Sequence, residues 1–162
     1  MGVSAAMSDL PRTPPPTPAS TAAEPATRDL RLGTKALCSR DGQVLLIEEG
    51  RGDGSTFWTL PGGGVTPDES PSASLRRELA EELQCEVSCG ESVGTCTYDH
   101  TRFGEITTLY TVYDCTLESE PTPNREEAIR QHAWIEPTAL PEGVLEPFEA
   151  LLDELVDAGF FD

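Results

Sequence analysis

The chain reads as an α+β or α/β sandwich, a mixed β-sheet held between two helices. Three observations predict this. The patterned segments run strands, helix, strands, helix. Two segments carry a one-sided apolar stripe at helical spacing. Val44-Leu45-Leu46-Ile47 is an unbroken apolar run of strand length, as expected for a buried strand.

The elements follow in order. Residues 1–28 are rich in Pro, Ala and Thr and poor in material to bury, so they read as a disordered tail. Residues 29–162 form one domain by length. Leu30-Arg31-Leu32 alternates and residues 34–38 continue as a strand. Asp41-Gly42 is a hairpin turn, and residues 43–48 form the buried second strand. Residues 50–55 hold three glycines and form a loop. Phe57-Trp58-Thr59-Leu60 is a short strand, ended by Pro61 and a turn of three glycines.

Ser70 and Pro71 open the first helix as N-cap and first helical residue. Leu75, Leu79 and Leu83 form its apolar stripe, and it ends near Leu83 or Gln84. Residues 86–97 and 105–117 have strand composition, and residues 118–125 make a polar loop. Ala133-Trp134-Ile135 closes another strand. Residues 147–158 form an amphipathic helix with Phe148, Leu151, Leu152 and Leu155 on one side and Gly159 as its stop.

Composition limits the function. No run of about 18 apolar residues exists, so no membrane span is expected. The first residues lack the pattern of a secretory signal, and the expected location is the cytoplasm. Five cysteines without a Cys-x-x-Cys pair read as packed free thiols. The net charge is -18 and Lys35 is the sole lysine. Such a surface disfavours duplex nucleic acid and resembles that of salt-loving organisms. A homodimer is an open option.

The densest pattern is residues 63–85. Glu78, Glu81 and Glu82 sit at i, i+3, i+4, within one arc of a helix. Like charges at that spacing destabilise a helix, and a cation would reverse the sign. Glu82 also borders the leucine stripe, where an unpaired charge is costly. Hard oxygen donors suit Mg2+ or Mn2+, and Mg2+ keeps positions for substrate phosphates. The glycines just upstream allow close approach of backbone to a ligand.

Gly63-x5-Glu69-x7-Arg77-Glu78-Leu79-x-Glu81-Glu82 resembles the Nudix box of the Nudix hydrolases. Trp58 to Gly64 before it and Ala133-Trp134-Ile135 after it extend the likeness over residues 30–158. One position departs: Gln84 stands where the family usually has Gly. The resemblance implies hydrolysis of the pyrophosphate bond of a nucleoside diphosphate linked to another moiety, of MutT-like or ADP-ribose/nucleotide-sugar type. It implies Glu78, Glu81 and Glu82 as ligands of Mg2+ or Mn2+. It also implies Arg77 as an orienter of carboxylates and Glu69 as support of the loop. Gly63 and Gly64 would shape the substrate loop. Glu78 is the first choice of general base and Glu127 the second. Tyr98 and His100 are candidates for substrate contact, with Phe57, Trp58 and Phe103 as further aromatic options. Stretches that mark NADH-cleaving, coenzyme A-cleaving and typical ADP-ribose-cleaving members are missing. The rival reading is a non-catalytic Nudix-like nucleotide sensor. Such modules lose box carboxylates, and this chain keeps them. Isopentenyl diphosphate isomerase shares the fold but needs a different Cys and Glu arrangement.

Overall fold

The computed structural model describes residues 29–100 and 105–162. The expected tail over 1–28 and the candidate Phe103 lie outside them. The described elements are β1 (Asp29–Arg40), β2 (Gln43–Gly50), β3 (Thr56–Thr59), β4 (Gly62–Gly64), α1 (Pro71–Leu83), β5 (Val87–His100), β6 (Ile106–Leu117), β7 (Ile129–Ile135) and α2 (Glu146–Asp157). The strands join in the order β3-β2-β1-β6-β5, with β4 on β1 and β7 on β2. The β1–β6 pair is parallel and the other strand pairs are antiparallel, so the sheet is mixed as expected.

Each helix covers one face. Alternation along β1 and β2 sends Ala36, Cys38, Leu45 and Ile47 under Leu75, Leu79 and Leu83 of α1. It sends Leu37, Val44 and Leu46 under Phe148, Leu151 and Leu152 of α2. Both leucine-rich stripes read from the sequence are therefore core. No helix among the described residues is long and apolar enough to cross a membrane.

The strand registers place the site. β1 and β2 leave the Asp41-Gly42 turn paired, Arg40 with Gln43 and Ser39 with Val44, and pair no further. Asp41 and Gly42 both have positive φ (55° and 79°), as a two-residue primed turn requires. Beyond Ser39 the two strands diverge, and the chain from Thr56 to Gly64 fills the gap. β3 extends β2, with Trp58 opposite Glu48. β4 extends β1, with Gly63 opposite Thr34.

The three glycines are therefore a strand, where the sequence reads as a turn. The strand form is forced by close approach. A side chain on Gly62, at φ 138°, would stand 2.1 Å from Thr34 O. Without side chains these residues give no strand signal, since β-propensity reflects side-chain packing.

Candidate active site

α1 is aimed at this gap by its start. Ser70 Oγ accepts from Ala73 N at 3.2 Å and Pro71 occupies the first turn, which fixes the helix origin. The leucine stripe then turns Glu78 and Glu82 toward β4. Gly62 N donates to Glu82 Oε1 at 2.9 Å. A methyl on Gly63 would stand 2.7 Å from the Glu78 carboxylate. The two carboxylates thus lie against successive residues of one glycine strand, and only glycine leaves room for them.

Arg77 holds the outer side. Its Nε and Nη2 grip both oxygens of Glu69, at 2.5 and 2.9 Å. Nη1 reaches Glu78 at 2.9 Å and Glu81 at 3.2 Å, and Nη2 also donates to Gly64 O at 3.1 Å. One guanidinium therefore spans three box carboxylates and the glycine strand, in the bidentate geometry that lysine cannot supply. Glu69 in turn accepts from Thr66 N at 3.1 Å. The Arg77 pair, with the Thr66 N–H, holds the Glu69 carboxyl down to about 2.

Three acids crowd the inner side. Glu82 is buried, and burial pushes its carboxyl up to about 8; Lys35 and the Gly62 N–H oppose this, while Glu78 and Glu49 add to it. Burial likewise raises Glu78, against the pull of Arg77. Burial also raises Glu49, with Lys35 pulling it down and Glu78 pushing it up. Each acid opposes ionisation of the others, which is the condition a divalent cation relieves.

The donors are hard oxygens, and one or two carboxylates with open positions fit Mg2+. Among the described residues they do not form a closed cage of three. Arg77 lies between Glu78 and Glu81, and Glu81, paired to it at 3.2 Å, is 44 % exposed. The residues fit a substrate-side cation better than a structural one.

Glu49 and Lys35 are the additions to the sequence reading. Glu48 and Glu49 look equivalent in sequence, but strand alternation separates them. Glu48 is held on the surface by Thr56 Oγ1 and Gln131 Nε2, both at 2.8 Å. Glu49 is turned inward to the cluster. An acid at the end of a buried apolar strand is the signal that could have found it. Lys35 Nζ donates to Gly62 O at 3.3 Å and sits 5.1 and 5.4 Å from the Tyr110 and Phe148 ring centres. The Gly62 peptide thus has Glu82 on its N–H and Lys35 on its carbonyl.

The remaining candidates are spread out. Glu127 ends a short 3-10 turn (Arg125–Glu127), exposed, and its charge raises Glu49. Tyr98 and His100 do not join the carboxylates. They stack edge to face at 4.8 Å on the α2 side of the sheet, with His100 Nε2 2.9 Å from Thr108 Oγ1. Trp58 packs into the α2-side core, and Phe57 lies under Arg51.

A sheet split by a glycine strand, under a helix that lines carboxylates along it, is the frame the Nudix resemblance implies. A family model described as the NUDIX domain matches residues 30–157. The chain belongs to the Nudix hydrolase family and is an enzyme of that class. It is 32 % identical over 114 residues to a nucleoside triphosphatase, NudI, of Escherichia coli, covering 64 % of this chain and 80 % of the relative. The fold is that of a MutT protein from Methanosarcina mazei (TM-score 0.70, 18 % identity, 83 % of this chain and 99 % of that one). It is also that of a Nudix hydrolase from Nitrosomonas europaea (TM-score 0.67, 21 % identity, 81 % and 90 %).

Proposed function

We propose that this enzyme cleaves the pyrophosphate bond of a small nucleotide with the help of Mg2+ or Mn2+, and that nucleoside triphosphates are its first substrate class. The observation that carries the metal is the pair of half-buried and buried carboxylates, Glu78 and Glu82, set side by side on Gly62 and Gly63 with Glu49 nearby. That arrangement is unfavourable unless protonated or bound to a cation. The substrate class is supported by the name of the relative at 32 % identity.

Glu78, Glu81 and Glu82 would hold the cation, with Glu49 facing them. When bound, it would offset charge on the pyrophosphate oxygens and acidify an attacking water. Arg77 keeps Glu78 and Glu81 aligned from behind. Glu78, its basicity raised by burial, is the first choice to take the proton of the water. Glu127 is the second. Gly63 and Gly64 would let substrate approach the backbone.

The test is a panel of nucleoside triphosphates, ADP-ribose, dinucleoside polyphosphates and nucleotide sugars, with products separated by chromatography. Turnover of triphosphates that requires Mg2+ or Mn2+ is expected. A protein that binds nucleotides and releases no product with either metal would instead be a sensor.

A further inference from the structure

The carboxylates are flanked by a cleft of about 390 Å3 of opposite character. Its walls are the end of β2 (Gly50, Arg51) and the segment entering β7 (Arg125, Ile129, Arg130), tied together by Gly50 N donating to Ala128 O at 2.9 Å. Glu49 of the acidic cluster is next in sequence to Gly50, and the charge of Glu127, next to Ala128 on the other wall, reaches Glu49, so the cleft opens beside the cluster.

Three of the chain's ten arginines meet here, in a protein of net charge -18. Chance would pair them with acids, of which there are 29. Among the described residues the ion pairs are those of Arg40 and Arg77, and none involves Arg51, Arg125 or Arg130. Arg51 and Arg130 feel Glu49 and Glu48 only at longer range, and the direct partners of Arg51 are neutral: it lies 4.5 Å over the Phe57 ring and donates to Ser55 Oγ and Thr56 O at 3.4 and 3.5 Å. Gly50 makes room for Arg130, since a methyl there would stand 3.2 Å from its Nε. The cleft is of small-ligand size, and forked guanidinium groups suit phosphate oxygens.

We propose that Arg51, Arg125 and Arg130 form a subsite for the polyphosphate arm of the substrate, selecting nucleotides that carry a charged phosphate beyond the cleaved bond over those that carry a neutral sugar. This deepens the functional reading above and rests on it for the identity of the substrate. The molecule as a whole repels a polyanion, and this cleft is where attraction is concentrated.

The test has two arms. Inorganic tripolyphosphate is titrated calorimetrically into the metal-free enzyme, where the carboxylates can only repel it. Binding is expected, and Arg125→Gln/Arg130→Gln should weaken it at least roughly tenfold, with Arg125→Lys/Arg130→Lys recovering part. In steady-state assays the same double Gln variant should raise KM for triphosphates at least roughly tenfold and leave KM for a nucleotide sugar within twofold. Both arginines are exposed, and circular dichroism reports the fold; Arg125→Gln alone serves if the double variant is unfolded. If wild type fails to bind tripolyphosphate, or the Gln variants bind it equally, the subsite is wrong whatever the enzyme hydrolyses. If tripolyphosphate binds through these arginines and no nucleotide is turned over, the subsite stands and the proposed reaction fails.

Discussion

Glu82 carries the largest electrostatic penalty at the residue scale. An unfolded glutamate titrates near 4.3, and burial lifts Glu82 to about 8. Between those values the metal-free native state holds a proton that the unfolded chain has lost. Stability therefore falls as pH rises through the window, by on the order of 5 kcal/mol at its upper end. Glu69, held low by Arg77, works the other way: its contribution is present above about 4.3 and lost as pH drops toward 2. Scanning calorimetry of metal-free protein from pH 5 to 8 is expected to show wild type losing Tm relative to Glu82→Gln, and added Mg2+ narrowing that difference. Arg77 gives a second prediction. Arg77→Lys keeps the charge but cannot span Glu69, Glu78 and Glu81 together, so kcat should fall roughly 10- to 100-fold with the circular dichroism spectrum unchanged.

At the scale of the element, β4 and the end of α1 separate two kinds of constraint. Gly62→Ala drives a methyl into Thr34 O at a φ that side chains avoid, and a loss of about 3 kcal/mol or more in urea unfolding is expected. Gly63→Ala meets the Glu78 carboxylate instead, so activity should fall further than stability. Gln84 takes the left-handed conformation (φ 51°) that the family assigns to glycine, with a 3.3 Å hydrogen bond to Thr122 O in partial return. Gln84→Gly is expected to raise stability by about 1 kcal/mol.

These elements also show what the sequence could reveal. α1 was legible because Ser70, Pro71 and three leucines at fourfold spacing each dictate helix, and the carboxylate arc follows from that helix alone. The strand β4 was not, because its glycines owe their conformation to Thr34 across the gap. Glu49 was hidden for a similar reason: its role depends on which way β2 faces and on what diverging strands leave open. Tyr98 and His100 lie at a strand end, as read, but sheet order carries them two strands from β1 and onto the other face.

The whole molecule is an acid-rich sandwich whose sheet parts between β1 and β2, and the parted edge collects the charged groups that a closed sheet would exclude. Net charge of -18 makes the compact state repel itself, so Tm should rise between dilute buffer and molar salt. A flat or falling Tm would mean that the surface acids are already locally offset. The metal-binding role of the glycine-strand carboxylates is tested most directly by initial rates of triphosphate hydrolysis against Mg2+ concentration, for wild type and Glu82→Gln. Saturable activation by Mg2+, abolished by EDTA, with Glu82→Gln at least roughly a hundredfold slower at every concentration, is the predicted result. Turnover that survives EDTA, or a Glu82→Gln enzyme that follows the wild-type curve, would contradict it.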